Sequence, residues 1–130
     1  MKTLKKVFIG ILALPLFLIC FEIFGMIVNH ASTSIQTNRL RRNIVDAIPN
    51  TEIISVESQT GNTSGTGNHV DCLTRIIFSS DLSLSEIQDK LRNAFESNTR
   101  ECSVKETDKA GEYLFILCKS APFSNNIEGH

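Results

Sequence analysis

The chain carries 130 residues, with 13 Lys/Arg against 14 Asp/Glu for a net charge of −1, and 42% of its residues are hydrophobic. Beyond residue 30, ten basic residues oppose thirteen acidic ones, a net charge of −3 over 100 residues. That balance leaves no basic stripe for a nucleic-acid partner, and the length suits one domain rather than two.

Lys2, Lys5 and Lys6 precede a run from Val7 to Val28 whose 22 residues hold one charge, Glu22. As a helix rising 1.5 Å per residue, this run reaches roughly 33 Å, about the thickness of a bilayer core. A cleaved signal peptide has a shorter apolar region ending at small residues of the A-x-A kind. Here the nearby small residue is Ala31, with Asn29 two positions before it, which makes a poor cleavage site. A lipoprotein needs small residues before its cysteine, whereas Cys20 follows Phe17-Leu18-Ile19. Residues 1–30 are therefore read as an uncleaved signal-anchor and 31–130 as the domain it tethers. The lysines lie before the segment, and Arg39, Arg41 and Arg42 lie well beyond it. The positive-inside rule then places the N-terminus in the cytoplasm and the domain outside the cell membrane, in a single pass. Glu22 is close enough to the segment end to reach the interface, or to be protonated, without a functional role. Pro15 is a candidate kink, and Gly10 and Gly25 are too far apart for a helix-pairing motif.

Ser34 to Ile48 reads as a helix with Ile35, Leu40, Ile44, Val45 and Ile48 towards one face, stopped by Pro49. A strand follows over Glu52 to Ser58, with Ile54 and Val56 on one face. Gln59 to Asn68 holds three glycines and no apolar residue, and is read as loop. His69 to Ser79 is the second strand: Val70, Cys72, Thr74, Ile76 and Phe78 share one face, His69, Asp71, Leu73, Arg75 and Ile77 the other. Ser83 with Glu86 forms a capping box, with Leu82 and Ile87 as the hydrophobic staple. Leu84, Ile87, Leu91, Ala94 and Phe95 continue that helix as an apolar stripe. Two more strands are expected at Glu101 to Thr107 and Glu112 to Ser120, joined by a short turn at Asp108–Gly111 in which Gly111 suits the left-handed position of a three-residue loop about Ala110. The segment 121–130 has no pattern and is read as a loose tail.

The order α-β-β-α-β-β implies a two-layer α+β domain with a four-stranded, mainly antiparallel sheet behind the transmembrane helix. Sheet orders 1-2-4-3 and 2-1-3-4 both satisfy the hairpins, and the first is preferred. If the last hairpin turns about Ala110, Val104 faces Ile116 and Cys102 faces Cys118 on the apolar face. An oxidising compartment would then favour a Cys102–Cys118 disulfide over two buried thiols.

The chemistry in the chain is thin. His69, Asp71 and Cys72 resemble parts of a thiol enzyme, but strand alternation points the thiol away from the other two. His30, His69 and His130 stand singly, so no metal or other cofactor is expected. The glycine loop lacks the Gly-Lys-Ser/Thr ending of a phosphate loop and lies between strands. Asn62-Thr63-Ser64 matches a glycosylation sequon, which matters only in a eukaryotic secretory pathway. No catalytic set and no small-molecule substrate are evident. The loop itself, with Gly61, Asn62, Gly65, Gly67, Asn68 and His69, is the candidate binding element, since long loops in compact domains are often kept for binding.

Thr51-Glu52-Ile53-Ile54, the stretch Gly61 to Asp71, the entry Ser79-Ser80-Asp81-Leu82-Ser83 and the ending Gly129-His130 are the residues of a resemblance. Over roughly residues 50–130 the chain resembles small membrane-anchored extracytoplasmic proteins of Gram-positive bacteria, a family without an assigned biochemical function. The resemblance implies a bacterial extracytoplasmic setting and no site residues. The expectation is a non-enzymatic, membrane-tethered domain that binds a protein or envelope component, an immunity or inhibitor protein being one version. The alternative is a structural or accessory subunit that associates through its anchor helix.

Overall fold

A computed structural model describes residues 2–65, 67–92 and 99–130. The first element is one helix, α1, from Lys2 to Ala47, uninterrupted at Pro15. The anchor and the helix expected from Ser34 are thus a single rod, with no break at residue 30. Its N-terminal part is apolar and bare: Ile11, Leu14, Phe17, Ile19 and Phe24 are all more than half exposed. This stretch is long and apolar enough to cross a membrane.

Further along, α1 presents one stripe to the domain: Asn29, Thr33, Thr37, Leu40, Ile44 and Ile48 are buried. Steps of three and four residues keep them on one face. Ile35 and Val45, expected in that stripe, point to solvent at 67% and 50% exposure. They fall off the face once the stripe starts at Asn29 rather than at an apolar residue. Pro49 ends the helix, and Asn50 turns the chain with φ 55°, a left-handed value that Asn tolerates.

Among the described residues the strands are β1 (Glu52–Gly61), β2 (Asp71–Ser79), β3 (Glu101–Glu106) and β4 (Glu112–Ser120), in the order β1-β2-β4-β3 and all antiparallel. The α+β architecture and the preferred strand order are as expected. An irregularity between Ile53 and Ser55 leaves Ile54 without a partner. Ile53 joins the core, while Ile54 and Val56 stay 47% and 41% exposed at the sheet edge.

Ile76 and Phe78 of β2, Val104 of β3, and Tyr113, Phe115 and Leu117 of β4 meet Leu40, Ile44 and Ile48 in one core. The second helix, α2 (Leu84–Lys90), brings Ile87 to it, followed by Leu91. Phe78 and Phe115 are fully buried; truncating either to Ala costs about 3–5 kcal/mol. The α2 start is built as read: the Glu86 carboxylate accepts from the Ser83 N–H at 2.9 Å and from its hydroxyl at 2.6 Å. Ala94 and Phe95 lie outside the described residues.

The final hairpin departs from expectation by one residue. Thr107 N–H donates to Glu112 O, and Glu112 N–H to Lys109 O, so the loop Asp108–Gly111 has four residues rather than three. Gly111 still takes the left-handed value, φ 75°. The register becomes Val104↔Phe115, Cys102↔Leu117 and Glu101↔Cys118. Because side chains alternate, a one-residue slip moves a whole strand to the other face. Cys102 therefore packs against the core and Cys118 lies on the opposite face, so the proposed disulfide is ruled out. No disulfide joins Cys102 and Cys118.

Candidate functional site

The loop between β1 and β2 is ordered by its own polar groups. Asn62 is the hub: its Nδ2 donates to Gly67 O (2.6 Å) and Gly129 O (3.3 Å), and its Oδ1 accepts from Gly65 N (3.0 Å). Gly65 (φ 68°) and Gly67 (φ 72°) supply the left-handed turns that wrap the chain around that amide. Strand β1 runs three residues further than expected, to Gly61, which pairs with Asp71. The loop is therefore shorter and stiffer than its composition suggests.

Asp71 is the buried charge beneath the loop, 1% exposed. Thr63 donates to its Oδ2 at 3.1 Å, and His69 Nε2 lies 3.0 Å from the same oxygen. Arg100 Nε stands 3.3 Å from Oδ1, and donates to Ser120 Oγ at 3.1 Å. The other end of the guanidinium is 2.7 Å from His69 Nε2, and Ser64 Oγ is 3.3 Å from that nitrogen. A guanidinium only donates, so a neutral Nε2 that accepts from Arg100 cannot also donate to Asp71. In either tautomer Arg100 is the countercharge that makes burial of Asp71 tolerable.

Cys118 Sγ lies on this same face, 3.8 Å from Thr63 Oγ1. Burial pushes its thiol up, the Thr63 contact opposing and the nearby Asp71 carboxylate adding to the rise. It is thus a protonated thiol at neutral pH and not an activated nucleophile. Cys72 is on the other face, as strand alternation requires, with its Sγ 3.9 Å from Asn29 O.

The tail is not loose. The Asn29 side chain, 0% exposed, donates to Phe123 O (3.1 Å) and accepts from Phe123 N (2.9 Å). The Phe123 ring meets Phe21 and Phe24 edge-on at 5.7 and 5.8 Å. Val70 N–H donates to Ser124 O, and Ala121 N–H to Val70 O. Asn126 caps a short 3-10 helix, Ile127–Gly129. His30 contacts Glu128 at 2.7 Å. Gly129 lies so close to the His69 backbone that a Cβ would meet its atoms at 2.7–2.9 Å. The tail therefore packs on the helix from about Phe21 onward.

Of the expected site residues, Asn62, Gly65, Gly67 and His69 form one network; Gly61 ends β1, and Asn68 is an exposed loop position. Thr63, Ser64, Asp71, Arg100, Ser120 and Gly129 belong to the same site and were not among the expected binding residues; Asp71 entered the sequence reading only as part of a rejected thiol enzyme, and Thr63 and Ser64 only in a sequon. Asp71 and Ser120 are register partners, a signal available only once β2 and β4 are paired. Among the described residues no group of three His, Cys, Asp or Glu could hold a metal. Open surface cavities of about 170 Å³ beside Ile35, Gln36 and Leu117, 320 Å³ beside Glu57 and Arg75, and 580 Å³ beside Arg41, Arg42 and Asp46 are not part of this loop site. No protein-family profile, curated protein or solved structure matches the chain.

Proposed function

We propose that this is a non-enzymatic domain, held outside the cell membrane by α1, that binds a protein or envelope component through the loop 62–70. The Asn62-centred network carries the reading. A loop fixed in advance by internal hydrogen bonds loses little entropy on binding, and it offers Ser64, Asn68 and glycine backbone to a partner. An immunity or inhibitor protein is one concrete form. The raised Cys118 thiol and the separation of Cys72 from His69 argue for binding rather than thiol chemistry. The test is a photo-crosslinking amino acid at Asn68 in the full chain, in its native cells. A discrete adduct that disappears with Asn62→Ala supports the reading; an adduct unaffected by that change refutes it.

The second reading is an accessory subunit that associates through its helix, and the exposed Ile35 and Val45 on the outer side of α1 favour it. Replacing residues 2–20 with an unrelated spanning segment separates the two. The loop adduct survives the exchange in the first reading and is lost in the second.

A further inference from the structure

We propose that the C-terminal segment 121–127 is an interfacial foot that rests in the headgroup and upper acyl region of the bilayer beside α1. This rests on α1 spanning a membrane. A bilayer core of about 30 Å needs about 20 helical residues. Counted from Val7, directly after Lys5 and Lys6, such a span ends near Met26. The tail docks across that level, from His30 and Asn29 down to Phe21. Phe123 packs on Phe21 and Phe24, and Asn126 Nδ2 bonds Glu22 O (2.9 Å) and Glu22 Oε2 (2.8 Å). Gly25 is buried beneath them, since a Cβ there would meet Asn126 Nδ2 at 2.7 Å. The segment thus occupies helix surface that lipid would otherwise cover.

Its composition fits that place. Ala121-Pro122-Phe123-Ser124-Asn125-Asn126-Ile127 carries no charge. Ile127, whose N–H bonds Glu22, is 60% exposed, and Phe21, Ile23 and Phe24 of the helix are each at least half exposed, so tail and anchor both present bare apolar side chains. Irregular backbone survives at membrane depth only when its polar groups are bonded to protein. Here Asn29 takes both backbone groups of Phe123. Glu22 Oε2 accepts from the Ile127 N–H at 3.0 Å, and Asn126 Oδ1 accepts from the Glu128 N–H at 3.3 Å. The one carboxylate in the apolar run therefore has donors from the tail, which gives Glu22 a role that its interfacial position alone does not. The foot also fixes the tilt of the domain, and with it the approach of the loop 62–70 to the membrane surface.

The chain has no Trp, so single-Trp variants report depth without background. Ile127→Trp, Phe17→Trp and Ile54→Trp are made in the full chain and reconstituted into phosphatidylcholine–phosphatidylglycerol vesicles with acyl chains spin-labelled near the headgroup or near the centre. All three sites are exposed, at 60%, 65% and 47%. The expected result is loss of Ile127→Trp emission to the shallow label, loss of Phe17→Trp emission to the deep label, and unquenched, red-shifted emission from Ile54→Trp. If Ile127→Trp emits and resists quenching like Ile54→Trp while Phe17→Trp is quenched, the foot is refuted and the span stands. If Phe17→Trp is unquenched, the span fails and the foot fails with it. Pro122→Trp, at a second exposed position, gives the same reading should Ile127→Trp not fold.

Discussion

Asn29→Ala is the most informative single change, because it removes the clasp between helix and tail and leaves the core intact. The amide serves both backbone groups of Phe123; the carbonyl also accepts from the Asn126 N–H at 3.1 Å, so the N–H is the group that the substitution orphans. An orphaned buried donor costs about 1–3 kcal/mol; Phe123 is half-buried, so water recovers part of this and the loss comes to about 1–2 kcal/mol. The loss falls on local opening of the tail, since the main core contains neither residue. At 1.4 kcal/mol per factor of ten, amides in 121–129 should exchange roughly 5- to 30-fold faster. Hydrogen exchange read by mass spectrometry, on the full chain in lipid nanodiscs, measures this directly. Asn125→Ala, at an exposed neighbour, is the control. Unchanged tail exchange in Asn29→Ala would refute the clasp, and would equally follow if the mature chain began near Ser32, which the intact mass of the membrane-bound protein decides.

Gly129→Ala forces a Cβ against backbone atoms of His69; with nothing flexible to yield, we expect a loss of about 1–3 kcal/mol in a urea melt and loosening of the loop 62–70 in the same exchange experiment. Ser83→Ala should destabilise the domain by about 1 kcal/mol through loss of the cap. The Ser83 hydroxyl, and then its N–H, hold the Glu86 carboxyl below its usual range, so the stabilisation is present above pH 4.5 and fades as acid protonates the folded carboxylate; the wild-type advantage over Ser83→Ala should narrow there. Reductant should leave the thermal midpoint unchanged, because Cys102 and Cys118 lie on opposite faces. The raised Cys118 thiol should alkylate more slowly in the folded chain than in urea, and its contribution to stability should fall as pH climbs past the ordinary thiol value.

The parts legible in the sequence are those where apolar periodicity and short-range chemistry act alone. The Ser83–Glu86 box, the β2 face Cys72-Thr74-Ile76-Phe78 and the Gly111 turn each follow from residues a few positions apart. The misreadings share a cause in contacts made by polar residues across long sequence distances. Asn29 and Phe123 are 94 positions apart, and nothing local to Ala121-Pro122-Phe123 signals a docked segment. Ile35 and Val45 entered the helix stripe because Thr33 and Thr37 are not apolar, although both are buried. The Cys102–Cys118 pairing failed on one residue of loop length, since Asp108-Lys109-Ala110-Gly111 closes equally well as three residues or four. In the site, Asn62 and His69 stood out by loop composition, while Arg100 did not, because its contact with Asp71 exists only after β3 and β4 have folded together.

The half-polar seam on α1 has a physical logic. A helix that leaves a bilayer and continues into a domain must stop being lipid-soluble at a defined level. On the proposed span, had the buried stripe from Asn29 to Ile48 been apolar throughout, the helix could slide along its axis between lipid and core at little cost. Instead the first turns of the seam are polar and specific. Thr33 Oγ1 meets Thr60 Oγ1 at 2.7 Å, Gln36 donates to Cys72 O at 2.9 Å, and Thr37 meets Thr74 Oγ1 at 2.8 Å. Moving them into lipid would strand the Gln36 amide and the Thr60 and Thr74 hydroxyls, at about 1–3 kcal/mol for each unsatisfied group, while Thr33 and Thr37 keep their bonds to Asn29 O and Thr33 O. Only past Thr37 does the stripe turn apolar, with Leu40, Ile44 and Ile48 supplying the burial that holds helix to sheet. Polar bonds set where the domain sits on the helix, and apolar burial determines how tightly it is held. The same division recurs in the tail, where Asn29, Glu22 and Asn126 fix the position and Phe123 fills the gap between Phe21 and Phe24.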